Sequence, residues 1–148
     1  MFVPKQEWVT VTTGLAGSVP SSWTHKEQVS FVAGDGRANV IFSSEPLAAT
    51  VDAKEYAETQ QSLLESEFPG FIGRGQLEPF AIDGIEASGW FREFSWRPPD
   101  GEPVSQMQIY GARVGRGWTA TATAHTADFE EFRQVFLDIL RNLAVRAQ

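Results

Sequence analysis

The fold is decided by the stretch Ile85–His125, which reads IEASGWFREFSWRPPDGEPVSQMQIYGARVGRGWTATATAH. It holds three runs rich in β-branched and aromatic residues, at Ile85–Trp96, Val104–Val114 and Trp118–His125. Short segments with proline or glycine separate these runs and are typical of chain reversals. The stretch therefore predicts three consecutive antiparallel strands.

The first half of the chain predicts a hairpin of its own. Apolar and polar residues alternate over Gln28–Ala33, and the turn-forming Gly34–Gly36 leads to a return strand over Ala38–Ser43. Further strands are expected at Trp8–Thr13, at Leu15–Val19 and within Phe71–Phe80.

Capping residues and apolar spacing predict two helices. Asp52 opens a capping box before a helix that runs from Ala53 to about Glu67. Asp128 and Glu131 repeat that spacing before a helix that we expect to end near Val145. The second helix places its apolar residues on one face, namely Phe129, Phe132, Phe136, Ile139, Leu140 and Leu143.

Together these elements predict one α+β domain over residues 1–148, with an antiparallel sheet of six to eight strands and two main helices. Two helices of about four turns do not easily cover both sides of so wide a sheet, yet several strands carry apolar residues on both faces. The uncovered face would meet another subunit or form a binding surface. Alternatively, the loop over 44–51 covers it.

Composition restricts the class of function. The net charge of -7 argues against a nucleic-acid partner, because phosphate binding depends on lysine and arginine. The N-terminus lacks a basic segment followed by an apolar one, and no apolar run approaches the length of a membrane span. We therefore expect a cytoplasmic protein.

Residues suited to catalysis are sparse. The chain has no cysteine, and its two histidines, His25 and His125, stand alone near predicted element ends. Arg92 and Glu93, adjacent in a predicted strand, are interpreted as solvated residues or cross-strand partners. We expect a protein that is not an enzyme and that holds no metal and no cofactor.

Two glutamines give the best indication of function. Gln60 falls within the apolar stripe of the first predicted helix, and Gln108 lies between Met107 and Ile109 in a predicted strand. A buried amide without partners costs roughly 1 to 3 kcal/mol. Both side chains are therefore candidate ligands for a polar group; alternatively, each faces solvent.

A series of short motifs resembles a known family. In chain order these are Tyr56-x3-Gln60, Phe68-Pro69-Gly70-Phe71, Ile82-Asp83-Gly84, Trp96, Gly101, Gln108, Thr119–Thr123 and a final amphipathic helix. Their order and spacing resemble the DcrB-like family and, within it, the effector-associated (Eag) chaperones of type VI secretion. The resemblance extends from about Pro20 to Leu143 and implies a PsbP-like fold, a curved antiparallel sheet with flanking helices.

The resemblance implies a bacterial chaperone or adaptor that acts as a homodimer in the cytoplasm. Eag chaperones bind the N-terminal transmembrane helices of a secreted toxin effector and help to load it on the secretion spike, without inserting into a membrane themselves. Their hydrophobic groove is matched here by Val29 and Phe31, and alternation extends it to Val40 and Phe42. The partner-binding glutamines would be Gln60 and Gln108.

Two other functions stay open from the sequence. The chain could be a PsbP-like assembly or structural factor without a secretion role, which predicts no tight affinity for apolar helices. It could also be a hydrolase or small-ligand enzyme, which predicts a closed pocket with convergent titratable groups.

Overall fold

The computed structural model describes residues 8–12, 16–83, 89–113 and 115–145. Within them the helices are α1, Ala53–Glu67, and α2, Phe129–Arg141. The first four strands are β1, Trp8–Thr12; β2, Ala16–Pro20; β3, Glu27–Val32; and β4, Ala38–Pro46. The others are β5, Ile72–Gly73; β6, Glu78–Phe80; β7, Gly89–Trp96; β8, Val104–Arg113; and β9, Arg116–His125.

Seven of these strands form one open antiparallel sheet in the order β3-β4-β9-β8-β7-β5, and β6 also pairs with β7. The strands β7, β8 and β9 are the predicted meander at its centre. β1 and β2 pair only with each other within the described residues. β3 therefore lies at one edge of the large sheet.

One helix packs on each side of this sheet. α1 lies over β7 and β8, where Tyr56 and Ala57 are buried against Tyr110. α2 lies over β8 and β9 on the opposite side. We call the two sides of the sheet the α1 face and the α2 face.

The larger core belongs to the α2 face. Met107 of β8 and Ala122 of β9 are fully buried there against Phe136 and Leu140 of α2. Alanines alternate along β9 as Ala120, Ala122 and Ala124, and their small side chains let the aromatic face of α2 approach the sheet.

The predicted α+β architecture is confirmed, with a seven-stranded antiparallel sheet and two helices. α1 has the predicted bounds, and the carboxylate of Asp52 accepts a hydrogen bond of 2.8 Å from the backbone N–H of Glu55. The apolar face predicted for α2 packs on the core as expected.

The predicted end of α2 was wrong. The helix stops at Arg141, four residues before Val145. There the chain becomes extended and bonds to a neighbouring segment: Asp83 N–H donates to the carbonyl of Leu143, and Val145 N–H donates to the carbonyl of Asp83 over 2.7 Å. Leu143 and Val145 also pack on the core, so tertiary contacts end the helix early.

Other boundaries differ more modestly. Asp128 precedes α2 without a side-chain capping bond. β4 continues to Pro46 beyond the predicted Ser43, because β9 pairs with it along that whole length. β9 begins at Arg116, so the predicted turn is shorter than expected. The predicted strand residues Thr13, Leu15, 85–88 and Val114 lie outside the described residues.

The two helices have 15 and 13 residues, fewer than the roughly 20 that cross a bilayer. Over the ranges that the structure describes, no helix is long and apolar enough to span a membrane.

Candidate functional site

Two adjacent rows of side chains cross the sheet and point to opposite faces. The row on the α2 face is apolar throughout, with Phe91, Ile109, Ala120, Phe42 and Val29. The row one residue away, on the α1 face, is mostly polar, with Arg92, Gln108, Thr121, Ile41 and Ser30. Because successive strand residues alternate between faces, the two sides of the sheet carry different chemistry at this level. Further along β7, the α1 face also buries the aromatic Phe94.

The α2 face contains an open cavity of about 720 Å³ between the sheet and the C-terminal half of α2. Its apolar lining includes Phe42, Ile82, Trp118, Val135, Ile139 and Leu143. Asp138 and Asn142 of α2 contribute polar groups. The volume is within the usual range for ligand pockets, and the lining favours an apolar ligand.

β3 continues this apolar surface beyond the cavity. Val29 is 46% exposed and Phe31 is 56% exposed, which is high for side chains of this size. The ring of Phe31 lies 5.4 Å, centroid to centroid, from the ring of Phe42 in the cavity wall. Val40, opposite Phe31, is buried in the core and supports this surface from within.

Gln108 lies on the other face, buried beneath α1. Its Nε2 donates to Thr121 Oγ1 over 3.2 Å, and its Oε1 accepts a short hydrogen bond from the hydroxyl of Tyr110. The amide therefore finds its partners inside the protein. Burial raises the pKa of Tyr110 to about 12, so this hydroxyl is a donor at neutral pH.

Arg92, directly opposite Gln108 on β7, is 4% exposed. Its guanidinium carbon lies 4.6 Å from the centroid of the Tyr110 ring, and its Nη2 donates to the carbonyl of Ala57 over 2.8 Å. Its Nε and Nη1 have no hydrogen-bond partner among the described residues. Burial lowers the pKa of Arg92 because it penalises the charged form.

The prediction that Arg92 and Glu93 are solvated or cross-strand partners was wrong. Glu93 points to the α2 face, where its carboxylate accepts a hydrogen bond of 2.6 Å from Arg133 of α2. Arg133 also bonds Glu130, and both carboxylates raise its pKa. This pair fixes α2 to the sheet, whereas Arg92 enters the interior below α1.

Gln60 is half-buried on α1 and forms no side-chain hydrogen bond within the described residues. Its neighbours in the predicted stripe differ in environment: Tyr56 is buried, Leu64 is half-buried and Leu63 is 46% exposed. The amide of Gln60 is thus accessible, unlike that of Gln108.

The six residues predicted to bind a partner do not meet in one place. Val29, Phe31 and Phe42 share the α2 face with the buried Val40, whereas Gln108 faces α1. Sequence alternation alone does not say which face of one strand matches which face of another, because that depends on the register.

Sequence reasoning missed the cavity and the buried arginine. The cavity forms where α2 ends and the 143–145 segment crosses to Asp83, which no local pattern indicated. An arginine between aromatic residues, as in Trp90-Phe91-Arg92-Glu93-Phe94, was the one available signal for a buried cation. In the described ranges, no three histidine or carboxylate side chains are grouped closely enough to hold a metal ion.

Comparison with known proteins supports the fold alone. No family model matches the chain, and a search of curated proteins finds no match. Among solved structures, PA94 of Pseudomonas aeruginosa, a protein of unknown function described as a candidate regulator, superimposes with a TM-score of 0.72 at 18% identity, over 95% of this chain and 99% of that one. LpqN of Mycobacterium tuberculosis, involved in cell envelope biogenesis, superimposes with a TM-score of 0.55 at 16% identity, over 94% of this chain and 77% of that one. The chain thus shares its architecture with these two proteins along nearly its whole length.

Proposed function

We propose that this protein is a cytoplasmic chaperone or adaptor that shields an apolar helical segment of another protein. The family resemblance specifies the client as the N-terminal transmembrane region of a type VI secretion effector, which the chaperone would help to load on the spike. The observation that supports this proposal is the apolar surface formed by Val29, Phe31 and the adjoining cavity on the α2 face.

Such a surface suits a membrane helix before it reaches its destination. A segment of about twenty apolar residues aggregates in water, and covering it stabilises the soluble form by roughly 25 cal/mol for each Å² of apolar area removed from solvent. The edge strand β3 is exposed at all six positions, so its apolar side chains can contact a client without opening the core.

The size of the cavity constrains how a client would bind. A helix about 10 Å across and 30 Å long occupies roughly 2,400 Å³, about three times the 720 Å³ of the cavity. The cavity therefore accommodates side chains from one face of the helix. The remaining client surface would lie against β3 or against a second subunit.

The proposal assigns client contact to the α2 face. Gln108 would have to release Thr121 and Tyr110 before its amide could bind a client, which costs free energy. The amide of Gln60 has no hydrogen-bond partner among the described residues and would contact a client only on the α1 face.

The test of the function is co-expression with a toxin effector encoded beside this chain, in full-length form and without its transmembrane segments. We expect a soluble complex with the full-length effector, lost when the segments are deleted. An effector that stays insoluble in the presence of this protein contradicts the proposal and favours an assembly factor without a secretion role.

A further inference from the structure

Among the described residues, the outer edge of β3 has no strand paired with it. The N–H of Ala33 donates to the carbonyl of Ala38 over 2.9 Å. By alternation, the odd-numbered residues of β3 are the ones whose backbone groups bond to β4. In an antiparallel pair, the residues between them direct their N–H and C=O groups the other way. The backbone groups of Gln28, Ser30 and Val32 therefore point away from the sheet, and all three residues are exposed.

After the charged Glu27 at its start, this edge strand lacks the features that usually prevent strand pairing. Natural edge strands are protected by proline, by a bulge or by charged side chains. Gln28–Val32 contains no proline, glycine or charge, and its register with β4 is continuous. Both faces of the strand carry apolar side chains, with Phe31 on one and Val32 on the other, each more than half exposed.

We propose that β3 pairs antiparallel with β3 of a second copy of this chain, with Ser30 of each copy opposite Ser30 of the other. The proposal rests on the free edge of the sheet and holds whether or not the chain binds a transmembrane client. It identifies the surface through which a homodimer would form.

The strand complements itself in this register. Ser30 then pairs with its own copy and Gln28 pairs with Val32, so six hydrogen bonds satisfy every outward backbone group of the three residues in both chains. Any other symmetric register leaves at least one of these residues opposite a position outside Gln28–Val32. Glu27 falls opposite Ala33, so no carboxylate faces another across the strands.

The pairing has a consequence for the α2 face. A two-fold axis through Ser30, perpendicular to the sheet, places the α2 faces of both copies on the same side. Val29 of one copy then lies opposite Phe31 of the other, and the two cavities flank a continuous apolar strip. Two cavities with the strip between them would contact more of a membrane helix than one cavity does.

A single cysteine tests the register directly, because the chain contains no cysteine of its own. Residues opposite each other in a hydrogen-bonded antiparallel pair have Cα atoms about 5.5 Å apart, within the roughly 4.4 to 6.8 Å range of disulfides. Ser30→Cys should therefore give a cross-linked dimer under mild oxidation. Gln28→Cys is the matched control, because position 28 would lie about 13 Å from its own copy along the strands.

A second pair of variants tests the interface in solution by light scattering. Ser30→Pro removes an outward N–H while leaving every bond to β4, so it should give a folded monomer of 16.4 kDa. Ser30→Ala keeps that N–H and should remain at twice this mass. A monomeric unaltered protein, a dimeric Ser30→Pro variant, or cross-linking of Gln28→Cys in place of Ser30→Cys would each overturn the proposal.

Discussion

The two faces of the sheet are built from the same strands, yet only the α1 face buries a network of polar side chains beside its aromatic residues. On the α2 face, apolar side chains pack beneath a helix but leave a cavity of about 720 Å³ at its C-terminal end. On the α1 face, polar side chains are buried and are bonded mainly to one another. The comparison indicates that the apolar face has room for a partner, whereas the polar face is occupied with holding α1 on the sheet.

A buried polar network of this kind restricts how a helix can sit. Hydrogen bonds require specific partners, so Tyr110, Gln108 and Thr121 favour one position of the side chains under α1, whereas apolar packing tolerates several. The difference between the faces can be tested by substitution. Substitutions on the two faces should change the free energy of unfolding by different amounts and, in one case, with the opposite sign.

The largest stability loss is expected in the core of the α2 face. Leu140 is fully buried, and Leu140→Ala should lower the free energy of unfolding by about 2 to 5 kcal/mol. Val135→Ala, on the same helix at a side chain that is 48% exposed beside the cavity, should cost less than about 1 kcal/mol. Urea denaturation measures both, and equal losses would show that the cavity wall is as well packed as the core.

The α1 face should give a stability that depends on alkaline pH through Tyr110. Folding raises the pKa of Tyr110 from its usual value near 10 to about 12, so the folded state holds that proton more tightly. Stability is fully present below pH 10 and falls as pH rises toward 12, by about 2 to 3 kcal/mol. Thermal unfolding across this range should show the loss, and Tyr110→Phe should reduce it. A loss of the same size in that variant would assign it to other groups.

The two glutamines should differ in their effect on stability. Gln108→Ala leaves Thr121 and the Tyr110 hydroxyl without their partner and should cost about 1 to 3 kcal/mol. Gln60→Ala removes a half-buried amide with no hydrogen bond in the described residues and should change stability by about 0.5 kcal/mol or less. Chemical denaturation of both variants separates the two environments. A neutral Gln108→Ala would mean that the buried network contributes little.

A gain in stability is expected at Arg92. Arg92 places a guanidinium in the interior with one hydrogen bond and two nitrogens that have no partner in the described part of the chain. Arg92→Met keeps an extended side chain without the buried charge, and it should raise the free energy of unfolding by about 1 kcal/mol. A loss above about 2 kcal/mol would show that the stacking on Tyr110 outweighs the burial of charge.

Much of the fold could be predicted because its signals are local. The alternation over Gln28–Ala33 and the capping by Asp52 each act within a few residues, and the structure contains the expected hairpin and helix. The end of α2 was not predictable in this way. Leu143 continues the helical apolar pattern, but its carbonyl bonds to Asp83, about sixty residues earlier in the chain.

The candidate site depended on information that is not local. Val29 and Phe31 were correctly grouped with Phe42, because one hairpin fixes their register. Gln108 stands three strands away, and a shift of one residue at any intervening pairing would move it to the other face. Its placement required the registers of β4 with β9 and of β9 with β8, which no sequence pattern supplied.

The most direct test of the account compares client binding by Phe31→Asp and Val32→Asp. These neighbours lie on the same edge strand. Phe31 is 56% exposed and points to the α2 face, whereas Val32 is 66% exposed and points to the α1 face. The measurement is retention of a fluorescent twenty-residue leucine-alanine helix in solution, with each variant checked for folding. The account predicts that Phe31→Asp loses at least tenfold in affinity while Val32→Asp stays within about twofold of the unaltered protein. Loss of binding by Val32→Asp alone would contradict it and would place the client on the face that carries the glutamines.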